Sequence, residues 1–152
     1  MVPATEEERM FNTILCPVDP VEPGLEEKAL AAARQLAVSG GSKIVLLAVV
    51  PDMPAYAAEY IPMDFREAQV KDARATLAGL SAGLALPEHR VVSKVRVGRP
   101  YHEILEEAGE IKADLIVMAS HRPGFATYLM GSNATYVVRH ARCSVLVIRP
   151  GD

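Results

Sequence analysis

"KIVLLAVV", residues 43–50, holds seven consecutive apolar residues behind its lysine. A run of this length without alternation suits a strand buried on both faces, the pattern of a parallel sheet. It falls far short of the ~20 residues a membrane-spanning helix needs. Three more runs share its character: "TILCPV" (13–18), "DLIVMA" (114–119) and "SVLVIR" (144–149). A fifth, "RVVSKVRV" (90–97), is weaker and alternates more.

Helical patterns separate these runs. "LEEKALAAARQLAV" (25–38) and "DFREAQVKDARATLAGL" (64–80) repeat apolar residues at helical spacing. "PYHEILEEAGEI" (100–111) opens with proline at a helix start and sets Ile104, Leu105, Ala108 and Ile111 on one face. "SNATYVVRHA" (132–141) is expected to begin a last helix at Ser132. Strand and helix alternate to the end, which predicts an α/β fold with a doubly wound parallel sheet in a single domain over residues 1–152. Residues 1–10 are expected to be a flexible N-terminus. Two stretches break the rhythm: "PDMPAYAAEYIPM" (51–63), too irregular for a helix start, and "SHRPGFATYLM" (120–130). Both follow carboxyl ends of strands, where open parallel sheets place their ligands.

Composition narrows the function classes. Half of the residues are hydrophobic and 23% are charged, as in globular soluble chains. The N-terminus "MVPATEEERM" is acidic and does not read as a secretory signal, so the cytoplasm is the expected compartment, without a membrane partner. Two cysteines, Cys16 and Cys143, make no disulfide framework. The net charge of −3 argues against nucleic acid as the main partner. Charge is uneven: residues 1–89 carry 7 Lys/Arg against 13 Asp/Glu, residues 90–152 carry 9 against 6. An anion site in the second part would be electrostatically comfortable, although ordinary scatter of surface charge accounts for the same numbers.

Asp19 closes the first run. A carboxylate there can bind a ribose hydroxyl, hold a metal ion or accept a phosphoryl group; equally, "DPVEPG" is a turn by composition and Asp19 its cap. Gly131 and Ser132 at a helix entry either cap the helix or present free amides and a hydroxyl to a phosphate. Gly124 can adopt positive φ in the same loop. Arg122 could pair with phosphate oxygens and His121 donate a hydrogen bond, or both could be simply solvated. His89, His102 and His140 show no metal-ligand spacing, and neither a Walker A loop nor a G-x-S-x-G turn is present. Cys16 reads as inert packing in a buried strand. Tyr56, Tyr60 and Tyr128 are expected to pack loops rather than stack on bases.

Three separated segments, "FNTILCPVD" (11–19), "VRVGRPYHEILEEAGEIKADLIVMASHRPG" (95–124) and "LMGSNATYVVRHARCSVLVIRP" (129–150), together resemble the universal stress protein family. The resemblance runs from Phe11 to Pro150. It implies a five-stranded sheet of order 3-2-1-4-5 with helices on both faces, so that Asp19 and Ala119-Ser120 share one crevice. ATP-binding members carry a Gly-x2-Gly-x9-Gly-Ser/Thr motif, matched at its end by Gly131-Ser132, with Asn133 following. Ala119 stands where its first glycine is expected, the loop is one residue shorter, and Arg122-Pro123-Gly124 of the "SHRPG" variant (120–124) replaces its middle. By the same resemblance Pro17, Val18 and Asp19 would line the adenine and ribose end, and Val49 would offer its backbone to the adenine edge. The implied cofactor is ATP, with Mg²⁺ arriving on its phosphates. The last strand, Ser144 to Ile148, would pair copies into a homodimer or tetramer. No activated water is evident, so at most slow ATPase or autophosphorylation activity is expected. The alternative is an oligomeric interaction module of the same fold that binds no nucleotide.

Overall fold

The computed structural model describes residues 2, 4–5, 7–21, 23–120 and 127–149. Five strands form one parallel sheet: β1 Thr13–Val18, β2 Lys43–Pro51, β3 Val91–Gly98, β4 Leu115–Ala119 and β5 Ser144–Ile148. Their order is β3-β2-β1-β4-β5, as the family resemblance implies. The helices are α1 Glu27–Gly40, α2 Ala55–Ala58, α3 Phe65–Gly83, α4 Pro100–Glu110 and α5 Thr127–His140. A 3-10 turn, Pro23–Glu26, leads into α1.

The uninterrupted apolar runs are explained by two cores. On one face Ile14, Cys16, Ile44, Leu46 and Val117 pack with Ala29, Ala33 and Ala37 of α1 and Ala73 and Leu77 of α3. On the other, Leu15, Val45, Leu47, Val49 and Ile116 pack with Ile104 and Ala108 of α4 and Ala134 and Val137 of α5. Strands β1 and β2 feed both cores by turns, so neither can show a polar face. Weaker patterning in β3 follows from its place at an edge.

Short polar ties set the register. Asp114 accepts hydrogen bonds from the Asn12 and Thr13 amides at 2.7 and 3.0 Å, joining the start of β1 to that of β4. α1 ends at Gly41, whose φ of 78° suits a left-handed cap and whose amide donates to the Ala37 carbonyl. Arg90 donates to that same carbonyl and to Ser42 O. A cation is well placed beside the exposed carbonyls of a helix end.

Two sequence expectations need correction. Residues 51–63 contain a one-turn helix, Ala55–Ala58, because Pro54 presents its carbonyl to the amides of Ala57 and Ala58. More consequentially, α5 begins at Thr127 and not at Ser132. Leu129 and Met130 are good helix formers, and a single interior glycine costs only about 1 kcal/mol.

Gly98 closes β3 with φ of 154°, and the Oε1 of Glu103 lies 2.5 Å from where a Cβ would sit. Glu103 cannot simply swing away, because Arg96 Nε holds its other oxygen at 2.6 Å. Gly98→Ala should therefore cost about 2 kcal/mol, read as a lower urea midpoint with an unchanged m-value. An unchanged midpoint would show that this close approach carries no energetic weight.

Candidate functional site

The sheet's topology reverses between β1 and β4, the position at which open α/β sheets form a ligand crevice. Pro17 widens it. Paired residues of β1 and β4 are confined to Ile14↔Leu115 and Leu15↔Ile116. The alternation of a parallel strand turns residue 17 toward β4, where a proline has no N–H to give. Beyond that point the two strands are free to diverge.

On the other side of β1, pairing with β2 continues to Val18↔Ala48, while β2 runs on with β3 to Pro51↔Gly98. Residues 50–51 thus form an overhang supported by β3 alone, and Val49 is the last β2 residue whose amide meets β1. The Lys43 amide donates to Asn12 O, so alternate β2 residues, Val49 among them, direct their N–H and C=O toward β1. The next donor in register for the Val49 carbonyl would be residue 20, a proline. Val49 therefore ends at the crevice with an acceptor that no strand donor meets, while its side chain is buried.

Asp19 lies one residue past β1. One of its oxygens accepts the Val21 amide at 2.8 Å, an Asx-type turn that fixes the carboxylate at the mouth. Across the opening Ala119 ends β4, and the Ser120 amide donates to Ile148 O at 2.9 Å. Pro17, Val18, Asp19, Val49, Ala119 and Ser120 are thus assembled at one edge, as expected. His121, Arg122 and Gly124 lie outside the described residues, and so does the Ser132 side chain.

The backbone of Gly131 and Ser132 is placed inside α5, in its second turn. There an α-helix commits both amides to carbonyls four residues back; the open amides are those of the first turn, 127–129. Asn133 is buried within the same helix. The expectation of Gly131-Ser132 at the helix entry is not met.

Sequence reasoning missed several neighbours of this edge. Glu26, 3% exposed, precedes α1. Burial, and then the charge of Glu26, pushes the Cys16 thiol up to about 12, so this cysteine is unreactive at neutral pH. Tyr56 and Tyr60, expected to pack their loop, project into solvent at 79% and 86% exposure. Behind the overhang, Arg96 pairs with Glu103 (2.6 Å), Glu107 (2.9 Å) and Glu110 (3.2 Å) of α4. Lys94 adds a second cation 2.7 Å from Glu107. The alternating Lys94 and Arg96 were the available signal, opposite glutamates one helical turn apart. These charges border a trough of about 900 Å³ along β3 between α3 and α4, also lined by Arg74 and Leu77.

An open, doubly wound α/β domain with its crevice at the β1/β4 switch is the class that these features define. The family model described as the universal stress protein family matches residues 10–149, and the chain belongs to that family. It is 36% identical over 143 residues to universal stress protein G of Escherichia coli O157:H7, covering 92% of this chain and all of that one. Among solved structures, universal stress protein UspA from Lactobacillus plantarum superposes with a TM-score of 0.76 at 25% identity, covering 91% and 97% of the two chains. A universal stress protein in complex with cAMP gives 0.61 at 22% identity, covering 91% and 96%, a likeness of fold. Among the described residues no helix is long and apolar enough to cross a membrane.

Burial pushes the Glu107 carboxyl upward, but hydrogen bonds from Lys94 and Arg96, with their charges, outweigh it and leave the group below the usual carboxylate range. Its contribution to stability is thus complete above the unfolded-chain value of about 4.3 and is lost as pH falls through the lower folded-state value. The urea midpoint of the parent should fall more steeply than that of Glu107→Gln below about pH 4.3. Equal acid slopes would contradict the pairing.

Proposed function

We propose that this chain binds an adenine nucleotide, ATP in the first instance, in the crevice between β1 and β4, and acts in stress response as a homo-oligomer. The observation that carries this reading is the overhang of β2, which brings the Val49 carbonyl to the same opening as the Asp19 carboxylate. A 6-amino purine can donate to the carbonyl, and a ribose hydroxyl can donate to the carboxylate. The cAMP complex of a relative with the same fold supports a nucleotide as the ligand class. Phosphates would extend toward residues 120–132, with Ser120, His121, Arg122, Gly124, Gly131, Ser132 and Asn133 as the proposed lining. Arg122 would supply a positive charge where Ala119 replaces a glycine. Mg²⁺ would come with the phosphates, held through their oxygens and not by a protein cage.

Chemistry beyond binding would be slow. The Asp19 carboxylate already accepts the Val21 amide and would accept a ribose hydroxyl in the complex, which commits it to holding the ligand and not to activating water. A second reading, an interaction module without nucleotide, draws on one specific observation: the amides of Gly131 and Ser132 are already spent inside α5. For phosphate to reach them, the turn 127–130 would have to unwind; otherwise phosphate would sit at the first-turn amides.

Calorimetric titration of nucleotide-stripped protein should show ATP binding in the micromolar range, on the order of 8 kcal/mol. Asp19→Ala should weaken it about ten-fold, the loss of one charge-assisted hydrogen bond. Ser132→Ala should do likewise if its hydroxyl meets a phosphate. Heat-silent titration, with no ATP-dependent rise in Tm, would leave the interaction module as the surviving reading.

For assembly, β5 is an edge strand with Leu146 exposed, and α5 exposes Tyr136 and Val138. An open edge of Val and Ile is a pairing surface unless covered. Leu146→Lys should shift the sedimentation mass from dimer or tetramer toward monomer. An unchanged mass distribution would place the interface elsewhere.

A further inference from the structure

The overhang of β2 raises a mechanical question. The ladder phase that pairs Val18 with Ala48 ties the Val49 amide to the Val18 carbonyl. The Val49–Val50 peptide, which carries the Val49 acceptor, has its own N–H directed to Arg96 of β3, and Val50 and Pro51 have no β1 partner in register. Whatever fixes the last residues of β3 therefore fixes the acceptor offered at the crevice. Three contacts converge there. Arg96 is the β3 residue in register with Val49. Its Nε donates to Glu103 Oε2 at 2.6 Å, and its Nη1 to Glu107 at 2.9 Å. Glu103 in turn lies against Gly98, with no room for even a Cβ between them. The Gly98 carbonyl accepts the Asp52 amide at 3.3 Å, closing the ladder just past Pro51.

We infer that Arg96, acting through Glu103 and Gly98, is a positioning residue that sets the base selectivity of the crevice, an inference that rests on the nucleotide reading above. The geometry of the fork matters here. One guanidinium spans two carboxylates on successive turns of α4, so it sets both the distance and the rotation of that helix relative to β3. Lysine offers a point charge that cannot hold both. Glu107, 2% exposed in its side chain, can be accommodated there only while its cations stay in place. Glu110, 60% exposed, touches the same Arg96 nitrogen as Glu107 yet takes no part in the path through Glu103 to Gly98. It provides an internal control.

A displaced overhang should harm ATP and GTP unequally. Adenine presents an amino donor to the Val49 carbonyl, whereas guanine presents a carbonyl oxygen at the corresponding position and gains nothing from the acceptor. The experiment is a titration of ATP and GTP against the full chain and its Arg96→Met, Arg96→Lys, Glu103→Gln and Glu110→Gln variants. It is combined with amide exchange of the ligand-free proteins read at Val50, whose N–H the ladder directs to β3. Arg96→Met should lose about ten-fold in ATP affinity with GTP affinity unchanged, collapsing the ratio. Arg96→Lys and Glu103→Gln should fall between it and the parent, and Glu110→Gln should match the parent. Val50 exchange should quicken in the same order. Equal losses for both nucleotides, or Val50 exchange unchanged in Arg96→Met, would overturn the inference while leaving the nucleotide reading intact. A parent that binds neither nucleotide would overturn both.

Discussion

A proline in a central strand cannot donate a hydrogen bond, and much of the site follows from that single deficit at Pro17. β1 is flanked on both sides, and its side chains feed both cores. Its carboxyl end would ordinarily stay zipped to β4 as it is to β2. Instead the register with β4 stops at Leu15, three residues before the register with β2. The crevice that topology places at the strand reversal is thereby opened at the backbone level, before any side chain is considered. Pro20 repeats the effect on the other side, leaving the Val49 carbonyl without a strand donor. Two prolines three residues apart thus convert the end of a buried strand into an opening with a carboxylate on its rim.

The cost of such an opening is lost support, and the polar ties compensate around it. Asp114 secures the amino end of β1, away from the crevice. Arg90 joins the end of α1 to the start of β3. The Lys94, Arg96 and glutamate cluster anchors α4 to β3 where β2 is unsupported. A buried carboxylate is expensive, and replacing such a cluster by apolar residues often leaves stability unharmed. Its value here lies in fixing α4 in one rotation on an edge strand. The same charges discourage edge-to-edge association along β3, whereas β5 lacks comparable protection.

Much of the fold was legible in the sequence because burial on both faces leaves a plain mark. The runs at 13–18 and 43–50 match their strands to within one residue, and Pro100 marks the start of α4. The start of α5 was misread because Gly-Ser-Asn has the chemistry of a helix entry, while the cost of an interior glycine is small enough for neighbours to offset. Strand order alone brings Asp19 and Ala119-Ser120 to neighbouring strand ends. Pro17 and Val49 were named through resemblance, without the hydrogen-bond deficits that explain them. Arg96 went unnoticed because its role depends on register with Val49 and on a helix beginning four residues later. A linear pattern shows neither.

The central claim is that the β1/β4 crevice, with Asp19 and Val49 on its rim, receives an adenine nucleotide. Amide chemical-shift mapping of the ¹⁵N-labelled full chain during titration with ATP tests it most directly. The account predicts saturable shifts clustered at Asp19, Val49, Val50 and Ser120, with the trough between α3 and α4 at Arg74 and Leu77 unmoved. Shifts confined to that trough, or none at all, would contradict it.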